Sequence, residues 1–242
     1  MTKYKKIAKE LKKRILSGAY SDDYRLPNQE TLAKEFNTSR MTIMKALDLL
    51  YSMGLIYTIQ GSGTYIKRNA LQNNESVINI GQNLGLTAQL SESMELINKT
   101  ISFEVRFPNK EECDALSLQQ EDPVYDIVRL RVVNGKPCSL EHTIFPIALV
   151  PGITEEILKK SVYDYINYEL GIDFGEIKQT VRAEKPNEND QKYLLCKHDE
   201  PVLVVDKIIF TDSGIPIEFS KVRHRYDMVE MNFVNLNTKI LR

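Results

Sequence analysis

Two short stretches of the 242-residue sequence place arginine beside other groups that can bind anions. In the first, "NTSRMTIMKAL" at residues 37–47, Arg40 stands between hydroxyl side chains and is followed by Lys45. In the second, Arg129 and Arg131 are two residues apart in an apolar stretch. Guanidinium groups bind phosphate, carboxylate and the edge of guanine through paired hydrogen bonds. The first stretch therefore suggests nucleic-acid recognition, and the second suggests binding of a small anion.

The first stretch is predicted to be the third helix of a small helical domain. Within residues 40–53, apolar side chains recur every three or four positions, which predicts a helix that buries one face. The same spacing predicts two earlier helices, over residues 4–16 and 28–36. A hairpin follows, with Gly61-Ser62-Gly63 at its tip. Three helices and a hairpin in about 65 residues predict a winged helix-turn-helix, whose third helix enters the DNA major groove.

In that arrangement, the outer face of the third helix and the hairpin tip are predicted to meet DNA. Arg40 can contact guanine or phosphate, and hydroxyl groups at a helix N-terminus can bond phosphate. Glycines at the tip let the backbone approach a groove, although a plain tight hairpin is an alternative interpretation of them. The predicted DNA-binding residues are Ser39, Arg40, Thr42, Lys45, Gly61, Ser62, Gly63 and Thr64.

Charge is distributed unevenly along the chain. Residues 1–70 carry 13 Lys/Arg and 6 Asp/Glu, a net charge of +7. The remaining residues carry 19 and 27, a net charge of −8, which leaves −1 for the whole chain. A basic part joined to an acidic remainder suggests that the first part binds a polyanion. A solvated basic face is the alternative interpretation.

Other sequence features point to an ordinary cytoplasmic protein. No apolar run approaches the roughly 18 residues that span a bilayer, and the N-terminal residues do not form a signal peptide. No membrane partner is therefore expected. The three cysteines are far apart and odd in number, which favours reduced thiols over disulfides. No metal-ligand spacing is present, and neither a metal nor a cofactor is expected.

Beyond a polar segment at residues 69–76, which is predicted to be a linker, the chain is rich in strands. A pattern of acid-Pro-Val, strand and turn occurs twice, at Pro123 and at Pro201, with an offset of 78 residues. The Asn134-Gly135 pair is a strong hairpin signal. A helix–hairpin unit that is used twice predicts a pseudo-symmetric antiparallel sheet with helices against it, an α+β fold.

The segment "LPNQETLAKEFNTSRMTIMKALDLLYSMGLIYTIQGSGTYI" resembles the DNA-binding domain of GntR-family bacterial transcription regulators. The match covers nearly all of residues 4–67. Many members of that family have a basic residue at the position of Glu30 and an arginine at that of Met44, and both positions commonly touch DNA. The resemblance therefore implies an operator that differs from the common family half-site, with Lys45 partly replacing the missing positive charge.

Roughly residues 77–240 resemble the UTRA-type effector-binding domain of the HutC branch of that family. That domain has a fold like chorismate lyase, but the family uses it for binding. The resemblance rests on Arg129-x-Arg131, Asn134-Gly135, Glu141, Ser161-x-Tyr163-Asp164 and the final "PIEFSKVRHRYD". It implies a winged helix-turn-helix domain at residues 1–68, a linker at 69–76, and an effector-binding and dimerisation domain at 77–242.

The same resemblance implies a site for the effector. In relatives that bind phosphorylated sugars, matching arginines hold the phosphate together with a serine and a tyrosine, and acidic groups can bond sugar hydroxyls. The candidate effector-binding residues are Arg129, Arg131, Glu141, Ser161, Tyr163, Glu184, Glu218 and His224. Alternatives remain open. Arg129 and Arg131 can form the exposed face of a strand, Glu184 can belong to a charged loop, and His224 can face solvent.

These observations lead to a ligand-responsive repressor as the main hypothesis. It would bind a pseudo-palindromic double-stranded operator as a homodimer and respond to a small anion, with a phosphorylated sugar favoured. One alternative is a constitutive DNA-binding protein whose C-terminal part only dimerises. The other is a lyase-like enzyme with a DNA-binding appendage. Against the enzyme, the histidines are scattered, and no G-x-S-x-G or Walker loop is present.

Overall fold

The computed structural model describes residues 3–20, 23–52, 54–59, 61–67, 78–79 and 94–231. These residues fall into two compact units, the first ending at residue 67 and the second beginning at residue 78. The predicted linker at 69–76 and residues 80–93 lie outside the described residues. Among the described helices, none is long and apolar enough to cross a membrane.

The first unit contains three helices followed by a two-stranded antiparallel hairpin. Its elements are α1 (Lys3–Leu16), α2 (Gln29–Glu35), α3 (Arg40–Ser52), β1 (Ile56–Ile59) and β2 (Gly63–Ile66). One apolar core joins all of them, because each helix turns its apolar stripe inward. The core residues are Ile7, Ala8, Leu11, Ile15, Leu26, Leu32, Ile43, Ala46, Leu47, Leu50, Leu55, Ile56 and Ile66.

Local sequence sets the turn between α2 and α3. Asn28 caps α2, with its side chain accepting a hydrogen bond from the Thr31 amide at 2.9 Å. After α2, Asn37 takes a left-handed conformation with φ 44°, which asparagine tolerates better than most residues. Ser39 then caps α3, and its Oγ accepts from the Thr42 amide at 3.3 Å. The predicted order of three helices and a hairpin is thus observed.

The second unit is built on a six-stranded antiparallel sheet. Its strands are β4 (Leu96–Arg106), β5 (Val124–Val133), β6 (Lys136–Pro146), β7 (Phe174–Glu184), β8 (Val202–Thr211) and β9 (Pro216–Arg225). Their spatial order is β4-β5-β6-β9-β8-β7. A separate parallel pair joins β3 (Ile78–Asn79) to β10 (Val229–Glu230). The fold is therefore α+β, with the antiparallel sheet that the sequence predicted.

The sheet has an internal two-fold pattern centred on the pairing of β6 with β9. In the first half, α4 (Lys110–Leu116) follows β4 along the chain and precedes the β5–β6 hairpin. In the second half, a π-helical segment (Asp190–Leu194) follows β7 along the chain and precedes the β8–β9 hairpin. The two occurrences of the repeated sequence pattern correspond to these halves. In the first hairpin, Asn134 and Gly135 have φ of 49° and 76°, as the sequence signal requires.

Helical segments after β6 are short. The stretch "VYDYINYEL" forms α6 (Val162–Asp164), after the short α5 (Glu155–Leu158), and continues as a π-helical turn (Tyr165–Glu169). The π-helical segment before β8 is equally short (Asp190–Leu194). It ends at Leu195, whose φ is 59°. The three cysteines are free thiols, as expected.

Candidate functional site

The outer face of α3 carries apolar and basic side chains that the domain core does not cover. Met41 is 60% exposed and Met44 is 41% exposed, whereas Ile43 on the inner face is fully buried. Arg40 and Lys45 are also exposed. Large exposed apolar side chains next to cations are suited to a DNA groove, where they can lie against thymine methyl groups.

Charged and hydroxyl groups cluster at the N-terminal turn of α3. A nitrogen of the Arg40 guanidinium, Nη1, lies 3.2 Å from Oε1 of Glu30 in α2. The Ser39 and Thr42 hydroxyl oxygens are 2.9 Å apart and bond each other. Farther along the helix, the Lys45 ammonium lies 6.0 Å from the centre of the Tyr4 ring. The predicted contacts are thus on one exposed surface, and Glu30 joins them.

The hairpin tip is braced by an arginine that the sequence analysis missed. Nη2 of Arg25 donates to the Ser62 carbonyl at 2.5 Å, and its guanidinium lies 5.8 Å from the centre of the Tyr65 ring. Gly61 and Gly63 have φ of 77° and 135°, so the tip needs residues without a side chain. The only sequence signal for Arg25 is its place directly before the Leu-Pro turn.

In the second unit, one face of the sheet carries a strip of polar side chains between two apolar clusters. The strand register places Ser139 between Arg131 and His224, and Glu141 beside Arg129. In the register of β8 with β9, Lys207 pairs with Ser220. Alternate residues of a strand face the same side, so these side chains share one face. The predicted set Arg129, Arg131, Glu141, Glu218 and His224 is therefore brought together.

Two arginines surround Glu141 in this strip. Arg129 Nη2 donates to its Oε2 at 2.7 Å, and Arg131 Nε lies 3.4 Å from the same oxygen. Burial alone would raise the pKa of Glu141, but the two guanidinium charges outweigh burial and hold the pKa at about 2. Glu141 is therefore ionised at neutral pH and neutralises about one of the two arginine charges.

Several polar atoms of the strip are buried without a hydrogen-bond partner among the described residues. These atoms are Arg129 Nε, Arg131 Nε, Ser139 Oγ, Glu218 Oε2 and both ring nitrogens of His224. The Arg131 Nε approach to Glu141 is an ion pair, but it lacks the geometry of a hydrogen bond. Buried polar groups are normally satisfied, and a cluster of unsatisfied ones indicates a place for a ligand or water. The strip thus offers both donors and acceptors.

Tyr163 and Ser220 hold one oxygen of Glu218. The Tyr163 hydroxyl donates to Oε1 at 3.1 Å, and the Ser220 hydroxyl donates at 2.7 Å. Burial raises the pKa of Glu218 and, together with the nearby carboxylates, raises that of Tyr163 well above its ordinary value. Burial and the Lys207 charge lower the pKa of His224 to about 3, so its imidazole is neutral at pH 7.

Two further predicted effector residues bond to other groups of the protein. Ser161 caps α6, with its Oγ accepting from the Asp164 amide at 3.1 Å. Glu184 pairs with Val202, and the side chains of Val202 and Lys207 point to opposite sides of β8. Glu184 therefore lies on the face of the sheet opposite the polar strip. On that face, the Glu184 carboxylate accepts hydrogen bonds from Arg182 Nε at 2.6 Å and from Arg223 Nη1 at 2.5 Å. The structure therefore separates Glu184 from the arginine pair.

The exposed-strand alternatives fail for the arginines and for His224. Arg129 is 5% exposed, Arg131 is 4% exposed and His224 is 4% exposed. Alternation along β5 could not reveal this burial, because both faces of the strand are covered. The face opposite the arginines packs against an apolar cluster that includes Leu130 and Val132.

The structure adds residues that sequence reasoning missed. Asn98 accepts from Arg131 Nη1 at 2.5 Å and donates to the carbonyls of Lys159 and Lys160 at 3.0 and 3.2 Å. It also lines a cavity of about 340 Å³ along β4. Within the described residues, the Lys207 ammonium has no hydrogen bond or ion pair, although its charge acts on Glu141 and His224. No spacing in the sequence connects these residues, since they come from separate strands.

The two units match two different family models. Residues 3–66 match "Bacterial regulatory proteins, gntR family", and residues 91–230 match "UTRA domain". The HTH-type transcriptional regulator GmuR of Bacillus subtilis (strain 168) is 41% identical over 98% of this chain and 99% of its own length. The chain belongs to the GntR family of bacterial regulatory proteins.

Other members of the family support this assignment. The mannosyl-D-glycerate transport/metabolism system repressor MngR of Escherichia coli (strain K12) is 27% identical over 90% of this chain and 89% of its own length. The crystal structure of the possible transcriptional regulator YydK from Bacillus subtilis has a TM-score of 0.77, 27% identity, and coverage of 98% of this chain and 100% of that one. This GntR-family protein is a DNA-binding transcriptional regulator with a UTRA domain, and the enzyme alternative is wrong.

Proposed function

We propose that this GntR-family regulator is a cytoplasmic repressor that binds its operator as a homodimer and senses a small anionic sugar derivative, with a phosphorylated sugar favoured. The observation that carries this proposal is the strip of buried, unpartnered polar atoms on one face of the UTRA sheet. Donors from two arginines and acceptors from a carboxylate and an imidazole meet there, which suits a ligand with both an anionic group and hydroxyl groups.

The charge of the strip supports an anionic ligand. Arg129, Arg131 and Lys207 bring three positive charges, whereas Glu141 and Glu218 bring at most two negative ones, and His224 is neutral. Burial also raises the pKa of Glu218, so its carboxyl group ionises less readily than an exposed one. A buried site with excess positive charge gains stability when an anion enters it.

Hydroxyl recognition is supported by the other end of the strip. Glu218 Oε2 can accept a hydrogen bond, and the neutral His224 ring has one nitrogen to donate and one to accept. The full name of MngR refers to mannosyl-D-glycerate, which is a sugar joined to a carboxylic acid. Both features favour a sugar derivative over a plain inorganic anion.

Operator binding is assigned to the exposed face of α3 and the hairpin tip. The proposed contacts are Ser39, Arg40, Thr42, Lys45, Gly61, Ser62, Gly63 and Thr64, which lie on the surface of the first unit. Two copies related by a two-fold axis would read the two halves of a pseudo-palindrome. The effector would change operator affinity because it binds the DNA-free and the DNA-bound arrangements of the dimer with different affinities.

Thermal unfolding of the purified full-length protein tests the effector site. The probes are hexose 6-phosphates, their free sugars, sugar-linked carboxylic acids and inorganic phosphate. A ligand that binds only the folded state stabilises it by about 2.7 kcal/mol at a hundredfold excess over Kd. We expect an anionic sugar to raise the Tm, whereas its uncharged sugar and inorganic phosphate do not.

Matched lysine substitutions place the site. Arg129→Lys and Arg131→Lys keep the charge but lose the guanidinium fork, and should abolish most of the shift. The control is Arg106→Lys, which alters a fork bound to Glu112 and Asp126 on the opposite face. Equal shifts in all three variants would contradict the proposed site. No shift with any probe would favour the constitutive alternative, in which this domain only dimerises.

A further inference from the structure

The ion pair between Glu30 and Arg40 links the first turns of two helices that would face DNA. The residues are ten positions apart, and the turn through Asn37 brings them together. Arg40 is 65% exposed and Glu30 is 66% exposed. Exposed ion pairs contribute little to folding stability, so this pair does not explain how the domain is held together.

The geometry of the pair determines which N–H groups of Arg40 remain available to DNA. Glu30 Oε1 lies 3.2 Å from Nη1, which leaves the edge formed by Nε and Nη2 free of Glu30. That edge carries two parallel N–H donors, which match the O6 and N7 acceptors of guanine. The neighbouring carboxylate also reduces the attraction between Arg40 and a phosphate, because a phosphate repels Glu30.

We propose that Glu30 is a positioning residue that orients Arg40 toward a guanine in the major groove and prevents it from gripping the phosphate backbone. This role rests on the proposed placement of α3 against DNA. It assigns specificity to an acidic residue on a surface that otherwise needs positive charge. Glu30 then acts through Arg40, while other side chains supply the electrostatic part of the affinity.

The test uses the full-length protein and duplexes selected by it from a library with a randomised central segment. The guanine read by Arg40 is the one whose replacement weakens binding by the wild type but not by Arg40→Ala. Affinities for the selected duplex and for its guanine-replaced form are then measured over a range of salt concentrations. A bidentate arginine contact corresponds to roughly 5- to 150-fold discrimination.

In Glu30→Gln, we expect this discrimination to fall toward one. The slope of log affinity against log salt should also steepen, by about 0.9 per protomer, because Arg40 gains a phosphate contact. The matched control is Glu35→Gln, which removes the same charge from the same helix but breaks a pair with Arg14. That control should keep both the discrimination and the slope of the wild type.

Three outcomes would overturn the proposal. Unchanged discrimination and slope in Glu30→Gln would show that Glu30 does not direct Arg40. An equal steepening of the salt slope by Glu30→Gln in the Arg40→Ala background would show that Glu30 acts on DNA binding without Arg40. If the wild type selects no sequence, the proposed placement of α3 on DNA is wrong too. In the first two outcomes, that placement still holds and only the role of Glu30 is wrong.

Discussion

At the scale of single residues, the polar strip of the UTRA domain lowers the stability of the folded protein when no ligand is bound. Its unpartnered guanidinium, carboxylate and imidazole atoms are buried, and each such group lowers the free energy of unfolding in the absence of a ligand. Similar area filled with apolar side chains would stabilise the sheet more. The cost is explained if a ligand supplies the missing partners.

His224 gives this idea a pH dependence. Burial and the Lys207 charge hold its pKa at about 3 in the folded protein, against an ordinary value of 6.5. The unfolded chain therefore binds the proton more readily, and the free energy of unfolding should fall as pH drops from 6.5 toward 3. Urea unfolding at pH 7 and pH 5 should show a larger loss in the wild type than in His224→Gln.

Two neighbours do not obscure that measurement. Glu141 has a lowered pKa, and its contribution is lost only below its ordinary value of 4.5, outside the measured interval. Glu218 has a raised pKa and acts in the opposite sense, so it reduces the loss in both proteins. A pH response that is identical in the wild type and His224→Gln would contradict a buried neutral imidazole.

At the scale of elements, two short structures set the geometry of the proposed contacts: the hairpin tip and the cap of α6. Both depend on one or two residues rather than on a large apolar contact. The tip is held by Arg25 and by backbone angles that favour glycine, and the cap is held by a single serine hydroxyl. Substitutions there should change local geometry without unfolding the domain.

Alanine at the hairpin tip separates two kinds of strain. At Gly61, with φ of 77°, an added Cβ meets nothing within 4 Å, so Gly61→Ala should cost about 1–2 kcal/mol from the backbone alone. At Gly63, with φ of 135°, the Cβ would also lie 3.1 Å from Arg25 Nε. Gly63→Ala should therefore lower both the Tm of this domain and operator affinity more than Gly61→Ala. Equal effects would contradict the bracing role of Arg25.

Ser161 offers a test between a cap and a ligand contact. Ser161→Ala removes the acceptor for the Asp164 amide and should destabilise the domain by about 1 kcal/mol. Ser161→Asn keeps a capping oxygen and should restore most of that stability. Chemical denaturation of both variants measures the cap. If affinity for an anionic sugar falls in Ser161→Asn while stability holds, the hydroxyl also contacts the ligand.

At the scale of the whole molecule, each unit has an apolar core of its own. Among the described residues, the core of the first unit and the side chains packed on it lie between Tyr4 and Ile66, and those of the second unit lie between Met94 and Met231. We therefore expect residues 1–75 and 76–242, prepared separately, each to unfold cooperatively. Circular dichroism during heating checks this expectation, and loss of cooperativity in either fragment would refute it.

The same separation predicts where a ligand acts. An anionic sugar bound to the polar strip should raise the Tm of the fragment 76–242 and leave that of 1–75 unchanged. Differential scanning calorimetry of the fragments and of the full-length protein would measure both. A ligand that stabilises the first fragment would place its site outside the UTRA domain.

Periodicity and local signals in the sequence determined the helices, the hairpins and the order of elements. Some signals act only on the neighbouring backbone, so they can be recognised from the sequence itself. Examples are Asn28, the Asn134-Gly135 pair and the repeated strand pattern. The family resemblance also located the arginine pair and Glu141. None of these signals depends on contacts between distant parts of the chain.

Tertiary structure alone decided which polar residues meet. Lys207 and Asn98 join the arginines only because β8 and β4 lie in the same sheet, and Glu184 is excluded because the register turns it to the other face. Burial of Arg129 likewise depends on what covers the sheet. Strand register and layer packing bring together residues far apart in sequence, and a one-residue shift in register exchanges the two faces.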